Sequence, residues 1–365
     1  MSAKILFTSD IHLTDRYADE YRFGVFNKLR QVARDEGATV IALLGDITDA
    51  KGGHSAALVN RITREIDALS REFEVYILKG NHDYTEEHLP FFGFLDLLPN
   101  VRFISDPELL DVGGTKVLAL PHAHGTATSR HGEAGGSQGS SNVLTGTKVT
   151  SMVDKGGYEM IWIHNTVRGS LMANGRVMEN HGVDLCPTEP RRHTGLYEGA
   201  QVPIIAGDVH VPQEVGPVTY LGAPHPVCFG DNWLPRFGLW DNGEMRFIPI
   251  DAVQKHSVEI IGPSAVDGVL DNVGGGDQVK VVCRLAREDM GQWQDIRQTL
   301  FSQAQERGAS IESISMQCLD ETFLPDAKPD ASTLRQSAKE TYSTYVKENL
   351  VSEALAKVGS RILDA

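Results

Sequence analysis

Short apolar runs rich in β-branched residues recur along the first half of the chain, each closed by glycine or a polar residue. Lys4–Ser9, Thr39–Leu44 and Glu74–Lys79 are the first three, and this length and punctuation predict strands. Between them Phe26, Leu29 and Val32, and then Leu58, Ile62, Ile66 and Leu69, repeat at spacings of three and four. That period puts each set on one face of a helix. Strands are predicted again at Val101–Ile104, Lys116–Leu120, Glu159–Ile163 and Pro203–Ala206. Alternating strands and helices predict a layered α/β fold, and the continuous apolar runs predict strands covered on both faces.

Two stretches break the rhythm. Gly125–Ser151 is rich in Gly, Ser and Thr with no apolar period; it reads either as a mobile surface loop or as a flap on the substrate side. Near Asp251 the organisation changes. Gln278–Leu285 predicts a strand, Trp293, Ile296, Leu300 and Ala304 a helix ended by Gly308, and Ser310–Gln317 a second strand, so a small β-α-β lobe is expected here. The Pro-containing stretch Leu324-Pro-Asp-Ala-Lys-Pro-Asp then leads to a helical tail. In that tail Leu334, Ala338, Tyr342 and Tyr345 share one face, and Val351, Leu355, Val358 and Ile362 another.

Composition narrows the class. The chain has 365 residues, 41% of them hydrophobic and 23% charged, which suits two domains, or one domain with an appendage, and excludes wholesale disorder. No run approaches the ~18 apolar residues of a membrane span. The residues after Met1 pass directly into Ile5-Leu-Phe with no leader pattern, and the four cysteines, Cys186, Cys228, Cys283 and Cys318, form no CxxC pair. A disulfide framework and a thiolate zinc site are therefore not expected, and a reducing, cytoplasmic setting is. The net charge of −15 argues against a broad basic surface that grips nucleic acid unaided. It does not exclude a nuclease, since divalent cations can reverse the sign of a local site.

Five polar segments fall at the ends of predicted strands: Asp10-Ile-His12, Gly45-Asp46-Ile-Thr-Asp49, Gly80-Asn81-His82-Asp83, Ile163-His164-Asn165 and Gly207-Asp208-Val-His210. In α/β sheets, ligands gather beyond the carboxyl ends of strands, so residues far apart in sequence can converge there. Singly, each segment is a weak signal; their ordered recurrence carries the inference. Carboxylates, imidazoles and one amide, without thiolates, suit hard or borderline divalent ions such as Mn²⁺, Mg²⁺, Fe²⁺ or Zn²⁺. Two such ions about 3.5–4 Å apart, separated by one carboxylate, can clamp a phosphodiester and activate water. No Gly-x-Ser-x-Gly elbow, P-loop or CxxC competes with this reading.

In this order the segments resemble the calcineurin-like metallophosphoesterase superfamily, whose motifs read D-x-H, G-D-x-x-D, G-N-H-D/E, a lone His, and G-H-x-H. The resemblance implies a layered β-sandwich core flanked by helices. It implies that Asp46 bridges two metals, that Asp10, His12 and His210 complete one site, and that Asn81, His164 and Asp208 complete the other. His82 would act on the leaving oxygen or the transition state, with Asp83 behind it and Asp49 a near-site helper. One position departs from the pattern. The last motif begins Gly-Asp208 here rather than Gly-His, so the second site is expected either to favour Mn²⁺ or Mg²⁺ over Zn²⁺ or to hold its ion weakly.

Ala206-Gly-Asp-Val-His-Val-Pro-Gln213, Tyr220-Leu-Gly-Ala-Pro224, Phe229-Gly-Asp231 and Leu118-Ala-Leu-Pro-His122 make the chain similar to the SbcD-type DNA exonuclease subunit. That is the bacterial and viral counterpart of the meiotic-recombination-eleven nuclease. This narrower resemblance implies a nuclease domain at 1–252 and an α+β capping domain at 253–322. A linker and helical tail at 323–365 would dock on an SMC-like coiled-coil ATPase of the SbcC type. It also implies DNA as substrate, two metal ions (Mn²⁺ foremost), and a homodimer. The tail could instead pack on its own lobe. His122, His124 and His131 are read as surface histidines, and His193 and His225 are placed near the cleft mouth without a role.

Two other functions fit the same motifs. The first is a phosphomonoesterase or cyclic-nucleotide phosphodiesterase, which would not need the added lobe and tail. The second is a non-catalytic scaffold that binds an ATPase or DNA, for which Asp208 is the supporting feature.

Overall fold

The computed structural model describes residues 3–86, 89–122, 156–178 and 202–319. The Gly/Ser-rich segment, the tail from residue 323, and His124, His131 and His193 lie outside these. In chain order the elements begin with β1 (Ile5–Thr8), α1 (Gly24–Glu36), β2 (Val40–Leu43), α2 (Ala56–Ser70) and β3 (Glu74–Leu78). A short antiparallel pair follows, β4 (Tyr84–Glu86) and β5 (Leu89–Pro90), then β6 (Val101–Ile104), β7 (Glu108–Val112), β8 (Thr115–Leu120), β9 (Met160–His164) and β10 (Ile204–Gly207). Next come β11 (Gln213–Val215), β12 (Val218–Tyr220), β13 (Arg236–Asp241) and β14 (Glu244–Pro249). The last group is β15 (Lys255–Ile261), β16 (Gln278–Leu285), α3 (Trp293–Arg307) and β17 (Ser310–Cys318).

Two six-stranded sheets, ordered β14-β13-β1-β2-β3-β6 and β11-β12-β10-β9-β8-β7, pack face to face. Alternate side chains of β1 point opposite ways. Ile5 and Phe7 enter the core between the sheets with Val40, Ala42, Trp162 and Ile205, and Leu6 joins the core under the helices with Phe26, Leu29, Ile62 and Ile66. Phe7 and Trp162 meet edge to face at 5.6 Å across the sandwich. Because both faces of β1 and β2 are covered, their sequences show no polar alternation. All four α2 positions predicted apolar are buried, and Ser55 caps that helix by accepting from the Leu58 N–H. In α1 the buried set is Val25, Phe26, Leu29 and Ala33, and Val32, the third predicted position, is partly buried against the same core.

The central strands of each sheet run parallel: β1, β2, β3 and β6 in one, β12, β10, β9 and β8 in the other. Their carboxyl ends therefore lie at a common edge. The β13–β14 hairpin was not anticipated from the sequence. It extends the first sheet through an antiparallel β13–β1 pairing and turns at Asn242-Gly243 with φ of 51° and 91°, the residue pair and geometry of a tight hairpin.

The lobe after residue 253 has three parallel strands, β15-β16-β17, one more than the β-α-β unit predicted. The additional β15 alternates buried and exposed residues and pairs with β16 from Lys255↔Gln278 to Ile261↔Arg284. A core of Ile260, Leu270, Val279, Val281, Ile296 and Leu300 belongs to this lobe alone. Gly308, at φ 69°, ends α3, where glycine adopts the left-handed conformation without a side-chain clash. The lobe is seated on the 3-10 segment Tyr17–Phe23, with Gln278 Nε2 donating to the Ala18 carbonyl and Lys255 Nζ 3.5 Å from Asp19. Among the described residues, no helix is long and apolar enough to cross a membrane.

Candidate metal centre

The chain beyond β1 stays in register with the chain beyond β2 after regular pairing ends. Asp10 N–H donates to Gly45 O (3.0 Å), His12 N–H to Asp46 O (3.0 Å) and Leu13 N–H to Ile47 O (2.8 Å). This irregular ladder turns Asp10 and His12 towards Asp46. It requires left-handed backbone at Asp10 (φ 55°), His12 (48°) and Asp46 (54°), and Asp208 joins them at 86°. Such non-glycine residues cost on the order of 1–3 kcal/mol each and persist where the surroundings over-determine them. The motif glycines answer to crowding: a Cβ at Gly80 would lie 2.2 Å from Asp46 Oδ1, and one at Gly45 2.2 Å from His164 Nδ1.

Three overlapping groups of ligand atoms result, each within 4.8 Å of one another: Asp10/His12/His210, His12/Asp46/His82 and Asp10/Asp46/His164. His12 Nε2 and His210 Nε2 are 3.0 Å apart, so both ring nitrogens face one point and could serve a single ion. Asp46 reaches both halves, with Oδ2 3.6 Å from His12 Nε2 and Oδ1 3.3 Å from His164 Nε2. Asn81 Oδ1 lies 3.4 Å and Asp208 Oδ1 3.9 Å from that same His164 nitrogen. His164 Nδ1 donates to the Leu44 carbonyl at 2.6 Å. A ring held this way presents Nε2 to the cage, which is how proteins orient ligating histidines. The donor set could hold a pair of divalent cations, with His12, His210 and Asp10 towards one and His164, Asn81 and Asp208 towards the other, Asp46 between; Asp208 falls outside the three clustered groups.

The three remaining predicted residues occupy distinct places. His82 is half-buried, its ring 5.0 Å from that of His12. Its Nδ1 donates to the Asp49 carbonyl at 2.5 Å, so its Nε2 is the free ring atom. The Asp49 side chain lies 3.5 Å from His12 Nδ1, and this contact, ahead of opposing burial, holds its carboxyl down at about 2. One residue thus orients two imidazoles. Asp83 is fully buried and accepts from the N–H groups of Gly80 (2.7 Å), Asp46 (3.0 Å) and Ile47 (3.0 Å). Its carboxylate ties the loop after β3 to the loop after β2 and lies outside the three ligand groups, and burial and the Asp46 charge push its pKa up.

Electrostatics set the state of the metal-free cage. Burial disfavours charge on His164, but Asp46, Asp10 and Asp208 outweigh it and hold the imidazole well above its usual 6.5. His12 is raised in the same way, burial being overcome by Asp49, Asp46 and Asp10. Burial pushes His210 the other way, to the neutral form. The raised histidines give the metal-free protein stability that is complete below pH 6.5 and is lost as pH rises through their folded values. Cation affinity runs oppositely, because those protons must leave. Mn²⁺ titration by calorimetry near neutral pH is therefore expected to release protons, seen as an enthalpy that depends on the ionisation heat of the buffer. A buffer-independent enthalpy would contradict this.

Three supporting residues were given no role by the sequence. Arg22 donates to the His12 carbonyl and, at 3.2 Å, to Val227 O. His225, placed at the cleft mouth by the sequence reading, is buried and donates from Nε2 to Ile11 O at 2.8 Å. Thr166 donates to Asp208 Oδ2 at 2.5 Å. His122 corrects an expectation: it is buried, its Nδ1 2.7 Å from the Tyr84 hydroxyl, because the chain after β8 pairs with Lys79 through the His122 N–H instead of leaving for the surface.

A family model described as calcineurin-like phosphoesterase matches residues 3–212. Among solved structures the chain is similar to an archaeal phosphodiesterase, at 13% identity over 68% of this chain and 99% of that one, TM-score 0.34. A dimetal phosphatase from Danio rerio matches at 12% identity over 65% and 92%, TM-score 0.40. The nuclease MPE from Pseudomonas putida matches at 13% over 67% and 87%, TM-score 0.27. No curated protein sequence matches significantly.

Proposed function

This chain belongs to the calcineurin-like phosphoesterase family, and on that premise we propose that it hydrolyses DNA phosphodiester bonds as the nuclease subunit of an SbcCD-like recombination or repair complex. The observation that carries the reading is the convergence of Asp10, His12, Asp46, His164 and His210 from separate strand ends of two sheets, with a separately cored lobe seated beside them. Two divalent cations, Mn²⁺ in this proposal, would supply positive charge to the phosphoryl oxygens and activate the attacking water. His82, held at Nδ1 by the Asp49 carbonyl, delivers a proton from Nε2 to the leaving oxygen. Asp49 and Asp83 act through the groups they orient, not on the substrate.

An acidic chain of this size gains its hold on DNA from a partner. In this proposal residues 253–322 cap the cleft and residues 323–365 dock on a coiled-coil ATPase. The exposed side chains of Leu89, Phe91, Phe94 and Leu97, gathered within one short segment, support a homodimer.

Purification of the tagged full chain from its native host tests both halves. A long coiled-coil ATPase is expected in the eluate, with Mn²⁺-dependent hydrolysis of linear DNA well above that of p-nitrophenyl phosphate or cyclic nucleotides. His82→Ala is expected to abolish most cleavage while keeping the parent's metal content. Turnover confined to the small esters points to the phosphomonoesterase reading, and no turnover at all to the scaffold.

A further inference from the structure

Asp208 stands where the resemblance leads one to expect histidine, and the structure gives its carboxylate two unlike oxygens. Oδ2 accepts from the Thr166 hydroxyl at 2.5 Å, while Oδ1 faces the cage, 3.9 Å from His164 Nε2. The side chain is 12% exposed, and the Asp208 N–H is tied to the Asp10 carboxylate at 3.1 and 3.3 Å. Thr166 is itself held firmly. The hydroxyl of buried Tyr220 donates to Asn165 O at 2.8 Å and accepts from Val167 N–H at 2.8 Å, so one phenol pins the backbone on both sides of Thr166. The Val167 carbonyl is fixed in turn by Ser170 Oγ at 2.7 Å.

We propose that Thr166 is the positioning residue that makes Asp208 a one-oxygen ligand of the second cation, with Tyr220 fixing Thr166; this rests on the two-cation reading above. The terminal torsion of an aspartate is broad and roughly two-fold. Unrestrained, the carboxylate could turn its plane or chelate through both oxygens. A hydroxyl donated to Oδ2 opposes both by holding the plane and occupying that oxygen. The second half of the centre then offers Asp208 Oδ1, Asn81 Oδ1 and an Asp46 oxygen with His164 as its one imidazole. The first half offers two, His12 and His210. The halves therefore differ in hardness, the oxygen-rich one suiting Mn²⁺ or Mg²⁺.

The test is titration of the metal-free full chain with Mn²⁺, followed by calorimetry and by the spin-coupled signal of a manganese pair. The parent is expected to take two ions. Thr166→Val, which keeps the shape and removes the hydroxyl, is expected to leave the first binding step unchanged. It should weaken the second about 10–100-fold, the scale for losing a residue that orients a ligand, and the pair signal should fade with it. Thr166→Ser should restore both, and Tyr220→Phe should weaken the same step by less. Thr166→Ala lacks the hydroxyl with less bulk and carries the test if the valine variant does not fold. The proposal is overturned by a second step of parental strength in the variant lacking the hydroxyl, by equal weakening of both steps, or by failure of serine to rescue. A parent that takes one ion overturns the two-cation reading, and this proposal with it.

Discussion

Asp46→Ala is expected to strip the protein of both cations and to lower phosphodiester hydrolysis on the order of 10³-fold or more, at least the loss seen when a principal electrostatic stabiliser is removed. Its two carboxylate oxygens serve different halves of the cage, one 3.6 Å from His12 and one 3.3 Å from His164. Oδ1 also accepts the His82 N–H at 2.8 Å. No neighbour can replace a group that faces both ways. Asp10 approaches both halves but is occupied by the Asp208 N–H, and Asp83 is saturated by three backbone donors. Metal analysis after dialysis against limiting Mn²⁺ should fall from two equivalents to none. Asp46→Asn keeps the size and a hydrogen-bond acceptor while removing the charge; it should lose metal equally while its circular dichroism stays parental. Two equivalents retained in either variant would refute the bridging role.

Arg22→Met is expected to destabilise the protein by about 3 kcal/mol, the lower end of what breaking a buried ion pair costs. The guanidinium side chain has no solvent exposure and lies 3.1 Å from Asp19. It also donates to the His12 and Val227 carbonyls. The loss stays at the lower end because Asp19 retains Arg16 at 2.6 Å and Lys255 at 3.5 Å. Burial pushes the Asp19 carboxyl up, but Arg22 and then Lys255 outweigh it and hold its pKa below the ordinary value. Its contribution is therefore present above the unfolded pKa and lost as pH falls through the depressed folded one. Without Arg22 that acid loss should begin at higher pH. Urea unfolding of the metal-free protein from neutral to acid pH reads both effects. A variant of parental stability would show that Arg22 is not the keystone between the loop at His12, the chain at Val227 and the seat of the lobe.

The sequence showed strands best where burial is two-sided. β2 and β10 appear as continuous apolar runs within a residue of their observed ends, and the α2 stripe of Leu58, Ile62, Ile66 and Leu69 matches its buried face. Strands covered on one side, or placed at an edge, were harder to read. β15 mixes lysine, histidine, serine and glutamate with its apolar positions, and β7 exposes Leu109, so neither presents a clean run. The motif residues were legible because their side chains are chemically unusual at strand ends. Arg22, His225 and Thr166 were not, because what matters about them is which distant carbonyl or carboxylate they meet. His122 was misread because a histidine beside a Gly/Ser-rich stretch carries no local mark of burial.

By itself the sequence determined the alternation of elements, the polar residues available to hold cations, and their order along the chain, since each depends on neighbours within a few positions. Only the tertiary structure decided that Asp46 faces both halves of the cage, that Asp83 braces two loops, and that Thr166 meets Asp208. Those facts depend on two sheets packing with their carboxyl edges together. That packing is set by the whole apolar core, and no local pattern of residues encodes it.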